Sequence, residues 1–389
     1  MKPAIAIYIQ YYLTPSMTFV YRQLKSAEKN FEPHVLCSDV LNNRTRFPFE
    51  SIHFKSRNFV RIKKSRYFSK IYGWDKLHSI NPRLSFQQKL FFKNILLKKN
   101  IKLIHAHFGP GGIEILETAK KLNIPLLLTF HGYDASFLLQ NANYRKNIQR
   151  VLEYANIITV SEKMKERIIL AGAKVDSVSV IRCGIPVDKF KLIQRESLNY
   201  KFKNKKFLSF LQVSNFVEKK GHKYTLLAYK NFLSYYSNSN LILGGDGPLR
   251  NEIQKFCIEL GIENNVKFIG LVDENSVLNL MNKADVFLHH SVTSENGDQE
   301  GIPTVIMEAM ATGLPVISTN HSGIPELIDN NFNGFLVNEK DVKSYTDVLL
   351  NLQNVPSDIG IKAREKIVED FNLSIETEKL FALYKDLIK

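Results

Sequence analysis

Two glutamates, Glu300 and Glu308, lie on either side of the start of a predicted helix in the second half of the chain. Pro303 suits the first position of this helix, because its φ is fixed and it has no N–H to leave unpaired, and Gly313 is suited to end it. Unpaired amides and a partial positive charge at a helix N-terminus favour a phosphate, and carboxylates accept hydrogen bonds from sugar hydroxyls. The pattern therefore predicts that the two glutamates hold the two ends of a nucleotide sugar. The alternative for any such pair is that both carboxylates are solvated.

A second candidate is Lys220, which together with Gly221 opens a predicted helix directly after the strand-like run 207–213. An ammonium group at a strand-to-helix turn can meet a phosphate, and a glycine beside it allows a close approach of the backbone. A Lys-Gly pair on its own is usually a surface feature. It becomes informative in combination with the two glutamates.

In the first half of the chain, two stretches that contain histidine and glycine follow predicted strands. They are L-I-H-A-H-F-G-P-G-G at 103–112 and L-T-F-H-G-Y-D at 128–134. Ligands of α/β sheets bind at the carboxyl ends of the strands. His131 leaves its strand directly into Gly132 and is the first candidate for ligand contact. His107 and Asp134 are further candidates, as residues that shape the loop or contact an acceptor, whereas the alternative for any single histidine is a structural role.

Alternating strand-like and helical segments must position these residues. Apolar runs of strand length, such as 4–8, 125–129, 207–213 and 284–288, are interleaved with amphipathic segments, which predicts doubly wound parallel sheets. The polar run Lys191–Lys206 has no apolar period and separates two such series. The chain is therefore predicted to form an N-terminal domain over 1–190 and a C-terminal domain over 205–370, followed by an amphipathic helix over about 373–389.

The excess of positive over negative charge is confined to the first half of the chain. Residues 1–190 hold 31 Lys and Arg against 13 Asp and Glu, whereas the remainder holds 22 against 25. In the region 54–99, cations alternate with aromatic residues, a mixture that suits anionic lipid headgroups. Nucleic acid or a solvated loop is compatible with the same composition. We expect peripheral contact with an anionic membrane or with a lipid-linked acceptor, and no nucleic-acid partner.

Other features of the composition predict a cytoplasmic protein that is either soluble or peripheral at the inner face of the cytoplasmic membrane. The apolar run 4–9 is too short for a signal peptide, and no stretch approaches 18 uninterrupted apolar residues. Cys37, Cys183 and Cys257 are far apart, which predicts buried thiols and no disulfide framework.

The stretch around the two glutamates resembles the E-x7-E motif of the retaining glycosyltransferases of family 4. Its lead-in, D-Q-E-G-I-P at 298–303, and its continuation, S-G-I-P-E at 322–326, are similar to the branch that builds colanic acid, amylovoran and related bacterial exopolysaccharides. The resemblance implies the GT-B fold, in which two Rossmann-like domains face each other across a cleft. It also implies that the N-terminal domain binds the acceptor, that the C-terminal domain binds the nucleotide-sugar donor, and that the last helix packs back on the first domain.

The resemblance also implies roles for individual residues. The donor site would consist of Asn215, Lys220, Glu300, Gly301, Ile302, Pro303, Thr304 and Glu308. The catalytic residues would be His131, Glu300 and Lys220. The acceptor side would consist of Ser16, Thr18, His107, Gly132 and Asp134.

The sequence departs from the family pattern at Asn215, where relatives usually carry an arginine. An amide can donate a hydrogen bond to a phosphate but cannot neutralise it. Either another cation, such as Lys219 or His222, compensates for the missing charge, or donor binding is weaker.

No D-x-D motif stands where a cation site for a sugar nucleotide is expected, so the predicted transfer needs no metal and no cofactor beyond the nucleotide-sugar co-substrate. The predicted function is a retaining transfer of a sugar to a glycan or to a lipid-linked oligosaccharide in bacterial surface polysaccharide biosynthesis. Two alternatives stay open at this point. One is a sugar phosphorylase or nucleotide-sugar hydrolase on the same fold. The other is a basic module for membrane or nucleic acid whose sugar site has decayed.

Overall fold

The computed structural model describes residues 2–14, 17–40, 46–56 and 81–389. Predicted site residue Ser16 and residues 57–80 of the basic and aromatic region lie outside these ranges. The chain divides into two compact units, Met1–Cys183 with Ser374–Lys389, and Gly184–Leu373.

The first unit contains a parallel sheet of seven strands in the order β3-β2-β1-β4-β5-β6-β7. Its elements are β1 (Ala4–Tyr11), α1 (Thr18–Ala27), β2 (Glu32–Asp39), β3 (Ile52–Phe54), α2 (Phe86–Lys98), β4 (Leu103–His107), α3 (Gly109–Leu122), β5 (Leu126–Phe130), α4 (Ala142–Leu152), β6 (Asn156–Thr159), α5 (Glu162–Leu170) and β7 (Val178–Val180). β1 reads as a continuous apolar run because both of its faces are buried. Ala6 and Tyr8 pack in a core with α2 to α5, whereas Ile5 and Ile7 pack in a second core with α1.

The second unit repeats this plan with six strands in the order β10-β9-β8-β11-β12-β13. Its elements are α6 (Leu198–Lys203), β8 (Leu208–Val213), α7 (His222–Leu233), β9 (Ser239–Gly244), α8 (Arg250–Glu259), β10 (Val266–Gly270), α9 (Glu274–Lys283), β11 (Val286–Leu288), α10 (Thr304–Ala311), β12 (Val316–Thr319), β13 (Phe335–Val337), α11 (Val342–Leu350) and α12 (Ile359–Asp370). Leu211 and Phe287 face α9, α10 and α12, whereas Phe210 and Leu241 face α7, α8 and α11. The prediction of two doubly wound parallel sheets is confirmed.

The last helix, α13 (Leu373–Ile388), belongs to the first unit. Leu380, Phe381 and Tyr384 enter the core that also contains Ile5 and Ile7, and the Tyr384 hydroxyl lies 2.5 Å from His105 Nδ1. The second unit begins at Gly184, before the boundary predicted at residue 190. It includes the polar run 191–206, because the Arg195 guanidinium in that run is bonded to the Met281 and Thr312 carbonyls at the ends of α9 and α10.

Three details of the sequence predictions can be compared with the described residues. Helix α10 begins at Thr304, so Pro303 is its N-cap and not its first residue, and Gly313 follows its C-cap with φ +72°. Cys37, Cys183 and Cys257 are free and buried, as predicted. Within the ranges described here, no helix combines the length and apolarity needed to cross a bilayer.

Candidate functional site

The strand order places one candidate site in the second unit. β8 and β11 are neighbours at the point where the strand order reverses, and ligands of doubly wound sheets bind beyond the carboxyl ends of the strands at such a point. The chain leaving β8 reaches Lys220, and the loop between β11 and α10 carries Glu300. The tertiary structure therefore brings together two residues that the sequence predicts separately.

Lys220 and Glu300 form a largely buried ion pair. Lys220 Nζ lies 3.0 Å from Glu300 Oε1, and the two side chains are 14% and 10% exposed. Lys219 Nζ lies 3.9 Å from the same oxygen and 3.1 Å from Asp298 Oδ1. Glu300 stands three residues before Pro303, the N-cap of α10. The first amides of a helix have no acceptor within it, so the loop that carries Glu300 leads directly to a set of donors that suit an anion.

The charge of Glu300 is fixed by its surroundings. Burial raises the pKa of this carboxyl, but the positive charges of Lys220 and Lys219 outweigh burial and lower the pKa from 4.5 to about 2. Glu300 is therefore a carboxylate throughout the physiological pH range. It can accept hydrogen bonds but has no proton to donate.

Gly221 holds Lys220 in place through an unusually close backbone approach. Its φ is +58°, and a Cβ at this position would lie 1.8 Å from the carbonyl oxygen of His290. The Lys220 carbonyl accepts a 2.9 Å hydrogen bond from the buried Gln212 side chain on β8. Any side chain at residue 221 would push the Lys220 turn away from the sheet.

The structure distinguishes between Lys219 and His222, the two residues proposed to compensate for Asn215. Asn215 is exposed and lines an open depression of about 450 Å³ with Asp246 and Gly247. His222 does not supply a charge, because burial and the neighbouring Lys220 lower its pKa to about 3, and its ring is stacked on Phe216. Of the two, Lys219 is the residue whose ammonium group lies near Glu300, at 3.9 Å from its Oε1.

The remaining predicted donor residues surround the start of α10. Thr304 is its first residue, Ile302 is buried in the core beneath it, and Gly301 accepts a hydrogen bond from the Gly323 amide at 3.3 Å. Glu308 is buried on the same helix, one turn from its N-terminus.

His289 is a residue of this site that sequence reasoning missed. It follows β11, is fully buried, and its Nδ1 lies 2.9 Å from Ser291 Oγ. Its Nε2 has no hydrogen-bond partner among the residues that the structure describes. Burial and Lys220 lower its pKa well below the usual range, so the ring is neutral. The signal in the sequence is the His-His pair directly after a strand at the ligand-binding edge.

The first unit has a histidine pair at the corresponding sheet edge. His107 is the last residue of β4 and His131 follows β5, and His107 Nδ1 lies 3.0 Å from His131 Nε2. Both rings are neutral, because burial lowers the pKa of His107 to about 3 and that of His131 well below its usual range. The His131 ring lies between the rings of Phe19 and Phe108, with centroid distances of 4.9 and 4.5 Å.

Asp134 holds the backbone of the loops that carry this histidine pair. It is 0% exposed, and its carboxylate accepts backbone N–H groups from Gly109, His131 and Gly132 at 2.8 to 3.0 Å. Of its two predicted roles, this position favours shaping the loop. Thr18 is the first residue of α1 and is partly exposed, next to the Phe19 ring on His131.

Two doubly wound parallel sheets are the architecture of the GT-B fold, and the family models define the class of this protein, which is a glycosyltransferase. Residues 18–189 match Glycosyltransferase Family 4, and residues 193–369 match Glycosyl transferases group 1. The chain is 31% identical to the amylovoran biosynthesis glycosyltransferase AmsK of Erwinia amylovora, over 72% of this chain and 69% of the relative. The chain therefore belongs to glycosyltransferase family 4, and the predicted resemblance to the exopolysaccharide branch is confirmed.

Two further relatives support this assignment. The putative colanic acid biosynthesis glycosyltransferase WcaL of Escherichia coli K12 is 29% identical over 72% of this chain and 70% of its own. Among solved structures, Anabaena Alr3699/HepE in complex with UDP-glucose superimposes with a TM-score of 0.76 over 98% of this chain and 99% of its own, at 17% identity. This last likeness concerns the fold.

Proposed function

We propose that this glycosyltransferase transfers a sugar from a nucleotide-diphosphate donor with retention at the anomeric carbon. The observation that carries the proposal is the buried ion pair of Lys220 and Glu300 at the N-terminus of α10. It offers positive charge for a diphosphate and a permanent carboxylate for sugar hydroxyls within one site.

Donor binding would rearrange this ion pair. The diphosphate, which carries more negative charge than one carboxylate, would take over the Lys220 ammonium and the first amides of α10. Glu300 would then turn its oxygens to the hydroxyls of the transferred sugar. Lys219, held at 3.1 Å by Asp298, would supply the second positive charge that the exposed Asn215 does not. Glu308 is proposed to hold the ribose hydroxyls.

The proposed chemistry is attack from the same face as the leaving group. A double displacement would need a carboxylate nucleophile beneath the anomeric carbon, whereas Glu300 is assigned to the hydroxyls of the transferred sugar. In the proposed step, the bond from the anomeric carbon to the phosphate oxygen breaks and the bond to the acceptor oxygen forms. The proton of the acceptor hydroxyl passes to the departing phosphate. Positioning and charge stabilisation would supply most of the rate.

The histidine pair of the first unit is proposed to contact the reacting sugar. The His131 ring is neutral, and its Nδ1 has no hydrogen-bond partner within the described residues. Such a nitrogen suits a hydrogen bond with a sugar hydroxyl. His107 would set the orientation of the ring through its 3.0 Å contact.

The proposed acceptor is a glycan or a lipid-linked oligosaccharide of a bacterial surface polysaccharide. AmsK is named for amylovoran biosynthesis and WcaL for colanic acid, which supports a polysaccharide product here.

A screen of the purified protein against UDP-, GDP- and ADP-sugars tests this proposal. We expect one donor to be consumed only when an acceptor extract is present, and the product to keep the anomeric configuration of the donor. Activity should survive EDTA, because ammonium groups and helix amides are proposed to neutralise the diphosphate. Donor consumption without an acceptor would indicate a hydrolase, inversion would exclude the proposed chemistry, and rescue of an EDTA-treated sample by Mg²⁺ would show that a metal is required.

Peripheral membrane contact is proposed for the surface around α2. Phe86, Leu90 and Leu97 are exposed on this helix beside Lys89 and Lys93, which is a mixture suited to anionic headgroups.

We expect the protein to sediment with vesicles that contain phosphatidylglycerol and not with purely zwitterionic vesicles. Combined replacement of Phe86 and Leu90 by serine should reduce binding at least about fivefold, because each exposed side chain contributes apolar area to the interface. Replacement of the exposed Leu170, on helix α5 of the same unit, by serine serves as the control. Equal binding by both variants would exclude α2 as the contact.

A further inference from the structure

The loop that follows β12 grips the backbone of Glu300 on both sides. The Glu300 amide donates to His321 Nε2 at 3.0 Å, and its carbonyl accepts from Ser322 Oγ at 2.7 Å. The next peptide is held as well, because the Gly323 amide donates to the Gly301 carbonyl at 3.3 Å. The S-G-I-P-E continuation of the sequence motif thus begins with the residues that hold the catalytic loop.

Glu339 fixes the tautomer of His321. A backbone N–H can only donate, so His321 Nε2 must be the acceptor and its proton must sit on Nδ1. That Nδ1 lies 2.6 Å from Glu339 Oε1, and the ring is 0% exposed. Burial opposes ionisation of Glu339, but hydrogen bonds from His321 and Thr293 outweigh it and lower the pKa of this carboxyl. An ionised Glu339 therefore keeps His321 ready to accept the Glu300 amide.

A second connection closes this arrangement into a ring. The Thr293 amide and hydroxyl donate to Glu339 at 2.7 and 3.2 Å, and the Gln299 side chain donates to Thr293 Oγ1 at 3.2 Å. Gln299 precedes Glu300 in the chain. Two points of the loop from β11 to α10, Thr293 and Glu300, are thereby connected to the Glu339 carboxylate.

The loop after β12 adopts a conformation that L-residues rarely adopt. Ser322 has φ +49°, in the left-handed region. Such backbone is retained where surrounding contacts hold it, and it is concentrated at functional sites. Here it allows two consecutive side chains, His321 and Ser322, to reach the N–H and the C=O of the same residue.

We propose that His321 and Glu339 are positioning residues for the transfer reaction, which rests on the function proposed above. In the structure, the Glu300 carboxylate is anchored by Lys220. When a diphosphate takes over Lys220, that anchor is lost at the moment when the carboxylate must face the sugar. The backbone clamp is independent of the ion pair and keeps Glu300 in place through this exchange. The clamp acts on the part of the site that is proposed to recognise the sugar and does not act on the part that is proposed to bind the diphosphate.

The test compares His321→Leu, His321→Gln and Glu339→Gln with Asn333→Leu. Asn333 is a matched control because it is 1% exposed and its side chain also accepts a backbone N–H, which is that of Asp329 at 2.9 Å and not that of Glu300. Hydrogen exchange of the Glu300 amide is measured by mass spectrometry without ligand. Affinities are measured for UDP and UDP-glucose and, in parallel, for GDP and ADP with their glucose conjugates. The kinetic constants kcat and KM are measured with the donor that the wild type uses.

We expect His321→Leu to speed exchange at Glu300 at least about tenfold. It should weaken binding of the nucleotide sugar about 10- to 100-fold, with a similar fall in kcat, because small displacements of a catalytic group are costly. Affinity for the nucleoside diphosphate alone should stay within about twofold. His321→Gln, which can present an oxygen to the same amide, should restore most of the loss, and Glu339→Gln should give a partial loss.

Several results would overturn the inference. Unchanged exchange at Glu300 in His321→Leu would show that no clamp exists. Equal weakening of nucleotide and nucleotide sugar, or the same pattern in Asn333→Leu, would show a merely structural role. A wild type that binds none of the nucleotide sugars would refute the proposed function and this inference together, whereas normal wild-type turnover with an unaffected His321→Leu refutes the inference alone.

Discussion

Replacing Lys220 by alanine is expected to lower kcat/KM about 10²- to 10³-fold, the loss typical of removing one charge-stabilising group from a preorganised site. The ammonium is proposed to neutralise the departing phosphate, and the nearby Lys219, which is held by Asp298 and is proposed to supply the second positive charge, cannot also replace the first. Glu300→Gln should cause a loss of similar size, because an amide presents one acceptor oxygen where the carboxylate presents two. Steady-state transfer assays with the donor found in the screen provide the measurement.

Lys201→Ala is the matched control for these variants. Lys201 and Asp285 form an ion pair in the same unit with a 2.6 Å contact and side chains that are 17% and 8% exposed. Breaking it should cost stability without a comparable loss of transfer. The double variant of Lys220 and Glu300 should lose less than the product of the single losses, because the two residues act as one unit. Full turnover in either single variant would remove both residues from the catalytic machinery.

The ion pair also makes a prediction about pH. The folded-state pKa of Glu300 is about 2 against an ordinary value of 4.5, so its ionisation favours the folded state above about pH 4.5, and this contribution is lost as pH falls toward 2. A shift of this size corresponds to roughly 3 kcal/mol. In Lys220→Met, burial remains while the main opposing charge is gone, so the pKa of Glu300 should rise.

Urea denaturation between pH 3 and pH 6 can detect this difference. The wild type should lose more stability on acidification than Lys220→Met or Glu300→Gln does. Any residual activity of Lys220→Met should decline at a higher pH on the acid side than wild-type activity. Parallel acid profiles for all three proteins would show that the pair does not hold Glu300 in its ionised state.

Replacing Asp134 by alanine is expected to destabilise the first unit by about 3 to 5 kcal/mol. The change leaves three backbone N–H groups, those of Gly109, His131 and Gly132, without their buried acceptor, and each such loss costs about 1 to 3 kcal/mol before relaxation. Asp134→Asn should give an intermediate loss of stability. Its amide oxygen can still accept a backbone N–H, whereas its NH2 group is a donor and faces another donor. Chemical denaturation followed by circular dichroism measures the change.

Asp176→Ala is the control for this stability prediction. Asp176 lies in the same unit and is exposed, so its replacement should change stability by no more than about 0.5 kcal/mol. A loss of that small size in Asp134→Ala would mean that the loops after β4 and β5 do not depend on the carboxylate. Since Asp134 also holds the backbone of His131, we expect its variants to lose transfer activity even at temperatures where they remain folded.

Much of the fold is predictable from the sequence because its strands are local signals. A strand buried on both faces must be apolar along its whole length, and β1, β5 and β8 are recognisable for that reason. The three-residue strands β3 and β13 are not predicted, whereas β11, which is equally short, stands within the longer apolar run 284–288. The helix α4 was also missed, since its segment A-N-Y-R-K-N-I-Q-R-V-L is mostly polar and only its few buried residues reveal it.

The sequence by itself determined which residues are suited to the chemistry. Glycine and proline at turns, carboxylates at a helix start and histidines after strands are properties of residue type and spacing, and they led to Lys220, Glu300 and His131. Only the tertiary structure decided how these groups behave. It paired Lys220 with Glu300, left His222 without a charge, turned Asp134 toward three backbone amides and brought His321 to the Glu300 N–H. Desolvation and hydrogen bonding depend on neighbours that lie far away in the chain, and for that reason no local pattern of residues contains them.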